Sequence, residues 1–461
     1  MNKKLPIGVS SFEKIRSDNY YYVDKTHFIR KLADQGSYYF LSRPRRFGKS
    51  LFLDTIKCAF EGKKELFQGL FLENNWNWNQ TFPVIRLFFD EGIIKKPQEL
   101  LSYIFSYLNQ YSLIFNIQLH EELFFRRFKE LIEKLYFKFN KQVVLLVDEY
   151  DKPILDNIEN PDNAKEIREI LKGLYQTIKS LDKYLKFVFI TGISKFAKVS
   201  LFSGLNQLND ISLDKEYSTI CGYTQHELIL TFGHLISNQE LELIKEWYNG
   251  YSWLGENVYN PFDVLLYLQK RDFRNYWFET GTPSFLIKIL QQKQFYIPQL
   301  EKTYSTEQLL SLFDIETILP EALLFQSGYL TIKQVIKQND MTDFELSYPN
   351  KEVRIALNSL IANHFYSQSH LLVKKLKDII YSSNLQDLPD FLNTLFAQVP
   401  FQWYIHTSQY EAFYCTVFYV FLVATGLNVI AEDTSSTGNI DLTVLHQNTA
   451  YIFEFKVDKG Q

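Results

Sequence analysis

The chain has 461 residues, of which 46% are hydrophobic, so it is long enough for two or three domains with separate cores. Its 49 basic and 53 acidic residues leave a net charge of −4, which excludes a strongly basic surface that would attract nucleic acid or a membrane over its whole extent. The 3 cysteines are far apart and have no metal-ligand spacing, which indicates packed thiols in a reducing compartment. The first residues, MNKKLPIGVSSFEKI, lack the apolar core of a signal peptide, so we predict a cytoplasmic protein.

The motif RPRRFGKS at residues 43–50 follows the apolar run SYYFLS and precedes the helix-like segment LFLDTIKCAFE. A phosphate-binding loop between a strand and a helix needs backbone N–H groups around the phosphates, a lysine, and a hydroxyl that can bind Mg²⁺. Gly48, Lys49 and Ser50 supply these groups, whereas Arg43 replaces the first glycine of the pattern GxxxxGK[ST]. We therefore predict a nucleotide site formed by Arg43, Arg45, Arg46, Phe47, Gly48, Lys49, Ser50 and Leu51.

A second motif, QVVLLVDEYD, contains the continuous apolar run 143–147, which is typical of a buried parallel strand. The run ends in two acids. In phosphate-loop enzymes an Asp at this position holds the Mg²⁺ shell, as predicted for Asp148, and a following Glu polarises the attacking water, as predicted for Glu149. The alternative is a core strand that ends in two solvated acids.

Three further apolar runs complete a predicted parallel sheet covered by helices: FPVIRLFF at 82–89, KFVFITG at 186–192 and DISL at 210–213. Ligands of such sheets bind at the carboxyl ends of the strands. Thr191 lies at one of these ends, where its hydroxyl can sense the γ-phosphate through the attacking water; a threonine that closes a buried strand is the alternative. The aromatic residues 20–22 either border an adenine pocket or pack in the core.

The segments RPRRFGKSL, VVLLVDEYDKPI and ITGISKFAKVSLFSGLNQLNDISL together resemble the AAA-ATPase-like domain of a large group of bacterial proteins, across roughly residues 5–213. The resemblance implies a P-loop NTPase fold for residues 1–214, with ATP and Mg²⁺ as cofactors. Arginine is usual in that family where Arg43 stands. The side chains of Arg43, Arg45 and Arg46 either contact phosphate or lie solvated beside it.

Residues 215–363 are mainly helical in pattern, and the short strand-like runs GYLTIKQV and FELSYPN indicate a winged-helix-like region. The uncharged stretch 412–431 is about long enough to cross a bilayer. Gly426 and Asn428 divide it into a helix-length and a strand-length piece, so we predict no membrane span.

The last part of the chain has three strand-like runs, NVIAED, NIDLTVL and AYIFEFKVD, which carry the spacing D-x(12)-E-x-K at Asp441, Glu454 and Lys456. On adjacent strands the two acids can bind Mg²⁺, and the lysine lies on the same face as Glu454, beside a water that could attack a phosphodiester. Acids and lysines also alternate on any solvated strand face. The region 364–461 resembles the PD-(D/E)xK nuclease-like domain that accompanies this ATPase family. Its motif positions match Glu411, Asp441 and Glu454 as metal ligands and Lys456 as a catalytic residue.

The nuclease fold has a further helix and strand after the lysine-bearing strand, so the sequence predicts a truncated α/β module with one uncovered sheet face. Self-association or the ATPase region would cover that face. The predicted function is an ATP-binding and ATP-hydrolysing protein coupled to a Mg²⁺-dependent nuclease-like module that acts on nucleic acid. The alternative is a nucleotide-dependent switch or partner-binding protein, related to defence or mobile elements, whose nuclease module is inactive.

Overall fold

The structure is a computed structural model, and it describes residues 3–90, 92–195, 201–202, 205–278, 284–293, 295–311, 319–338, 341–397, 410–434 and 438–456. The chain forms two compact units, each assembled from three separate segments. The first unit comprises Met1–Glu242, Tyr251–Asp272 and Gln308–Gly328. The second comprises Leu243–Gly250, Phe273–Glu307 and Tyr329–Gln461.

The strands and the α-helices are numbered separately in chain order. The strands are β1 Tyr38–Ser42, β2 Val84–Phe88, β3 Val143–Asp148, β4 Leu185–Gly192, β5 Asn209–Asp210, β6 Thr303–Thr306, β7 Thr331–Gln338, β8 Met341–Ser347, β9 Asn428–Thr434, β10 Asn439–His446 and β11 Thr449–Phe453. The α-helices are α1 Phe12–Ser17, α2 Thr26–Gln35, α3 Lys49–Phe60, α4 Pro97–Ile114, α5 Phe124–Phe139, α6 Lys152–Leu155, α7 Pro161–Ser180, α8 Gln225–Phe232, α9 Asn238–Tyr248, α10 Pro261–Lys270, α11 Ser284–Gln292, α12 Glu307–Ser311, α13 Pro320–Ser327, α14 Lys351–Phe365, α15 Ser369–Tyr381, α16 Leu388–Ala397 and α17 Tyr410–Ala424.

The first unit contains the predicted parallel sheet, with the strand order β2-β3-β4-β1-β5. Every residue of β1 and β3 is buried, as their continuous apolar sequences require. Ser42 pairs with Gly192 across β1 and β4, and Phe88 pairs with Asp148 across β2 and β3. The loop after β1 and the acids after β3 therefore lie at the same carboxyl edge of the sheet, where ligands of open α/β sheets bind.

The second unit contains two antiparallel sheets. The strands β6, β8 and β7 form one sheet, which includes both strands predicted for the winged-helix-like region and is followed by helix α14. The strands β11, β10 and β9 form the other sheet in the predicted nuclease-like region. The fold is thus α/β as predicted, with a parallel sheet first and an antiparallel three-stranded sheet near the end of the chain.

Helix α17 and strand β9 divide the uncharged stretch 412–431 as predicted, with Gly426 at φ +81° between them. The ring of Phe418 on α17 lies 5.0 Å from the ring of Phe453 on β11, so the helix covers one face of the sheet. Within the part of the chain that the structure describes, no helix has both the length and the apolar character needed to cross a membrane.

A partly buried polar network joins helices α14 and α17 and strand β9 in the second unit. Arg354 on α14 forms an ion pair with Glu301, with a distance of 2.6 Å between Nη2 and Oε1. The hydroxyl of Tyr419 on α17 donates to the same carboxylate, and Arg354 also donates to the carbonyl of Val429 on β9. Because each partner is tied to more than one element, the network fixes α14 against α17 and β9.

Candidate functional site

The loop between β1 and α3 has the geometry of an anion site. Gly48 adopts φ +96°, a left-handed conformation that glycine takes without strain, and it directly precedes Lys49 at the start of α3. Among the described residues, no side chain caps this end of α3, and no atom lies within 4 Å of the position that a Cβ on Gly48 would take. The first N–H groups of the helix are therefore accessible to a phosphate, which the helix dipole also favours.

Lys49 places its charge inside this loop. Its Nζ donates to the carbonyl oxygens of Arg43 at 2.9 Å and Pro44 at 3.0 Å, and lies 3.7 Å from Oε1 of Glu149. The predicted phosphate-binding lysine and the predicted base thus lie together at the edge of the sheet.

Arg43 stabilises the loop through buried hydrogen bonds to backbone carbonyls. Its guanidinium is fully buried and donates to the carbonyls of Ser42 at 2.9 Å, Ser212 at 2.8 Å and Tyr217 at 3.3 Å. It also lies 4.2 Å from the centre of the Trp253 ring, a distance that allows a cation–π contact. Burial lowers the pKa of Arg43 to about 10. The side chain is therefore not solvated, and it ties the loop to the segment that follows β5 and to Trp253.

The other loop residues differ in their surroundings. Arg45 is half-buried, and its charge partly opposes the rise that burial causes in the pKa of Glu149. Arg46 is exposed at φ +68°, with its guanidinium 4.8 Å from the centre of the Phe262 ring. Phe47 is buried, and its ring lies 4.7 Å from that of Tyr251. Only Arg45 and Arg46 of the three arginines thus retain accessible surface.

Asp148 and Thr191 bond to each other. The Thr191 hydroxyl donates to Oδ1 of Asp148 at 2.8 Å, and both residues are fully buried. Thr191 therefore lies at the end of the buried strand β4. Its hydroxyl also orients Asp148, the acid predicted to hold the metal shell.

Glu149 has the properties of a proton acceptor. It follows β3 at φ +55°, and burial raises its pKa to about 7, although the charge of Lys49 acts in the opposite direction. A carboxyl group with a pKa near neutrality is suited to general-base chemistry. Asp151 in the same motif is held differently, because its carboxylate accepts from the Ile193 N–H and from the N–H and hydroxyl of Ser194.

Sequence reasoning missed two residues of this site, Arg86 and Asp54. Arg86 lies on β2 and donates from Nη2 to Oδ2 of Asp148 at 2.8 Å and from Nη1 to Oδ1 of Asp54 at 3.1 Å. Asp54, on α3, also accepts the N–H of Phe12 at 2.7 Å. The available signal was the single charge in the apolar run FPVIRLFF, since a charge on a buried strand requires a partner.

A cleft adjoins the loop at Gly48 and Leu51. Tyr21 and Tyr22, two of the three aromatic residues considered for an adenine pocket, line it together with Tyr223. Its other lining residues are Pro6, Ile15, Val23, Lys25, Phe47, Phe52, Ile220, Cys221, Gly222 and Pro261.

The nuclease-like residues lie on and beside the last sheet. Leu442 pairs with Phe453, and the adjacent Asp441 accepts the N–H of Phe455 through Oδ2 at 2.7 Å. Glu454 and Lys456 are exposed and Phe455 between them is half-buried. All three follow the end of β11 at Phe453, so a common strand face for Glu454 and Lys456 stays a prediction.

Glu411 is exposed in the first turn of α17, and this helix packs against the sheet through Phe418, whose ring lies 5.0 Å from the ring of Phe453. Within the described ranges, no group of three or more His, Cys, Asp and Glu residues is placed to hold a metal ion.

Comparison with known proteins identifies both regions. A family model described as a predicted AAA-ATPase matches residues 6–202, of which 91 and 196–200 lie outside the described residues. A model of the PD-(D/E)XK nuclease superfamily matches residues 409–461. The chain is also 45% identical, over 461 residues, to an "Uncharacterized protein in vnfD 5'region" of Azotobacter chroococcum mcd 1; the match spans 99% of this chain and 89% of the relative. The two domain types imply the use of a nucleotide and a divalent metal. The chain therefore belongs to the family of predicted AAA-ATPase-like proteins that carry a PD-(D/E)XK nuclease-superfamily domain.

Proposed function

We propose that the first unit binds ATP with Mg²⁺ and hydrolyses it. The observation that carries this proposal is the placement of Lys49 3.7 Å from the buried Glu149, beside the uncapped start of α3. This arrangement combines a phosphate-binding charge, backbone donors and a carboxyl group whose pKa is about 7. Residues 1–214 would form the ATPase region, 215–363 the winged-helix-like region and 364–461 the nuclease-like region.

Each residue has a role in this proposal. The N–H groups after Gly48 and the ammonium of Lys49 bind the phosphates, and Ser50 and Asp148 hold the metal shell. Mg²⁺ held by Ser50 and Asp148 would supply positive charge to offset the charge on the transferred phosphoryl group. Glu149 accepts the proton of the attacking water, and Thr191 keeps Asp148 oriented through their hydrogen bond.

The cleft beside Gly48 would hold the base of the nucleotide. Its lining offers flat aromatic surface from Tyr21, Tyr22 and Tyr223. It also contains Lys25, whose ammonium is paired with Glu227 at 2.7 Å and whose pKa is lowered by burial. A mostly apolar cleft with a small number of fixed polar groups is typical of a small-molecule site.

Two variants test the ATPase proposal. Lys49→Ala should abolish binding of a fluorescent ATP analogue, because the loop has no other lysine that can replace its charge. Glu149→Gln should bind the analogue with parental affinity but release phosphate at least about 100-fold more slowly, because the general base is lost. Lys57→Ala, on the same helix α3, is the matched control and should behave as the parent. Parental turnover by Glu149→Gln would show that Glu149 is not the base.

For the nuclease-like region we propose Mg²⁺-dependent cleavage of nucleic acid by Glu411, Asp441, Glu454 and Lys456. A specific observation favours a second candidate, a nucleotide-dependent switch or partner-binding protein with an inactive module. The carboxylate of Asp441 is engaged by the Phe455 N–H, and the acids among the described residues are not grouped as a metal site. Under either candidate we propose a cytoplasmic protein whose partners are nucleic acid or a second copy of the chain.

A further inference from the structure

Both oxygens of the Asp148 carboxylate have hydrogen-bond donors from the protein itself. Thr191 donates to Oδ1 at 2.8 Å, and the guanidinium of Arg86 donates to Oδ2 at 2.8 Å. Asp148 is fully buried, while the Arg86 side chain is 19% exposed. Arg86 is therefore the more exposed partner of this ion pair.

The same guanidinium contacts the phosphate-loop helix. It donates to Oδ1 of Asp54 at 3.1 Å and lies 3.4 Å from the carbonyl oxygen of Ser50. Ser50 and Asp54 are four residues apart on α3 and share one helix face. Two carboxylates and a carbonyl oxygen from β3 and α3 thus surround one cation.

Oxygen atoms of this kind are also the ligands that divalent metals prefer. The planar guanidinium can bridge two carboxylates, which a lysine ammonium does less well. A cation fixed between Asp54 and Asp148 lowers the negative potential that a metal ion would experience there.

We propose that Arg86 is the resident cation of Asp54 and Asp148. A divalent metal then has to compete with Arg86 for Asp148, and it binds tightly only when nucleotide phosphates add further oxygen ligands. The inference rests on the proposed role of Asp148 in the metal shell. Arg86 is a positioning residue, because it acts through Asp148 and Ser50.

The test measures metal binding by the full chain without nucleotide. Mn²⁺ is titrated into the protein, and free Mn²⁺ is followed by its electron paramagnetic resonance signal. Arg86→Met should bind Mn²⁺ about tenfold more tightly than the parent, because two acids lose their fixed counter-charge. The double variant Arg86→Met with Asp148→Asn should lose this gain.

Arg127→Met is the matched control. Its guanidinium also lies in the first unit and is held by the carbonyl of Glu121 and the side chain of Asn109, both at 2.9 Å. Its Mn²⁺ affinity should equal that of the parent. An unchanged affinity in folded Arg86→Met, or a gain that persists after Asp148→Asn, would overturn the inference.

A second variant covers the case in which Arg86→Met does not fold. Arg86→Lys keeps the charge but bonds one acid at a time, so its Mn²⁺ affinity should rise by a smaller factor, about threefold. A folded Arg86→Lys protein with parental affinity would then contradict the proposal.

The outcomes also separate this inference from the ATPase proposal. If Lys49 and Glu149 prove essential for hydrolysis but Arg86→Met gains no affinity, only the inference fails. If no variant hydrolyses ATP but the gain appears and depends on Asp148, the inference holds and the ATPase proposal fails.

Discussion

The burial of Glu149 changes the pH at which its carboxyl group ionises. Because burial raises its pKa to about 7, a fraction of the carboxyl groups is protonated at neutral pH. A general base must be ionised, so we expect kcat/KM for ATP hydrolysis to rise with pH through about 7 and then to level off. The measurement is a pH profile of phosphate release, with affinity for an ATP analogue determined at each pH as the control.

The same pKa predicts the sign of an effect on stability. Between the ordinary value of 4.5 and about 7, the folded protein binds more protons at this carboxyl than the unfolded chain does. Stability contributed by the raised pKa is therefore lost as pH increases across this window. Glu149→Gln should lack this part of the pH dependence of the unfolding midpoint. A kcat/KM that stays constant below pH 7 would contradict the role of Glu149 as the base. The same pH dependence of the unfolding midpoint in Glu149→Gln and in the parent would contradict the expected effect on stability.

Residues of the proposed ATP site differ in how far the sequence could predict them. Gly48, Lys49 and Asp148 could be found because local chemistry requires them at fixed places after a strand. The partners of Arg86 could not, because a buried charge indicates only that a partner exists and not which acid supplies it. The fixed position of Asp151 likewise depends on Ser194, which is distant in the sequence.

The element that departs most from the common pattern is the loop between β1 and α3. Arg43→Gly would restore the pattern GxxxxGK[ST], but we expect it to destabilise the protein by about 3 kcal/mol. Three backbone carbonyls would lose their donor, and Trp253 would lose the guanidinium above its ring. The midpoint of thermal unfolding should fall accordingly.

Arg46→Gly is the control for this substitution. Arg46 is exposed and has φ +68°, which glycine adopts without strain, so its replacement should leave the unfolding midpoint unchanged or slightly higher. If Arg43→Gly is as stable as Arg46→Gly, the buried guanidinium contributes nothing to the loop.

Elements with strong local signals were predictable. The strands β1, β3 and β4 are continuous apolar runs, and a glycine with a left-handed conformation separates α17 from β9. The strand β6 was missed, because TYST is short and polar and pairs with β8 from a distant part of the chain. The strand β5 contains only Asn209 and Asp210, because these are the residues that pair with β1. It therefore begins one residue before the predicted run 210–213.

At the scale of the whole molecule, the two candidate activities should be separable. If the nuclease-like region is active, purified protein should nick plasmid DNA in the presence of Mg²⁺, and Glu454→Ala should reduce nicking at least about 100-fold through loss of a metal ligand. Hydrolysis of ATP by Glu454→Ala should remain at the parental rate. Absence of metal-dependent nicking by the parent, with ATP hydrolysis intact, would favour the switch or partner-binding candidate.

The sequence predicted both domain types but not the composition of the first unit. Tyr251 and Trp253 belong to that unit, although the predicted boundary of the ATPase region lies at residue 214. Their contacts with Phe47 and Arg43 are long-range aromatic and cation–π contacts, which have no periodicity that a local pattern could reveal.

The segmented first unit has a consequence for synthesis. A ribosome delivers the chain from its amino end, and domains generally fold as they emerge. The motif RPRRFGKS emerges early, but Trp253, which lies against the Arg43 side chain, follows only after the helices α3 to α9. A chain released before residue 253 would thus contain the complete nucleotide-binding motif and yet lack the ring against which its buried arginine packs.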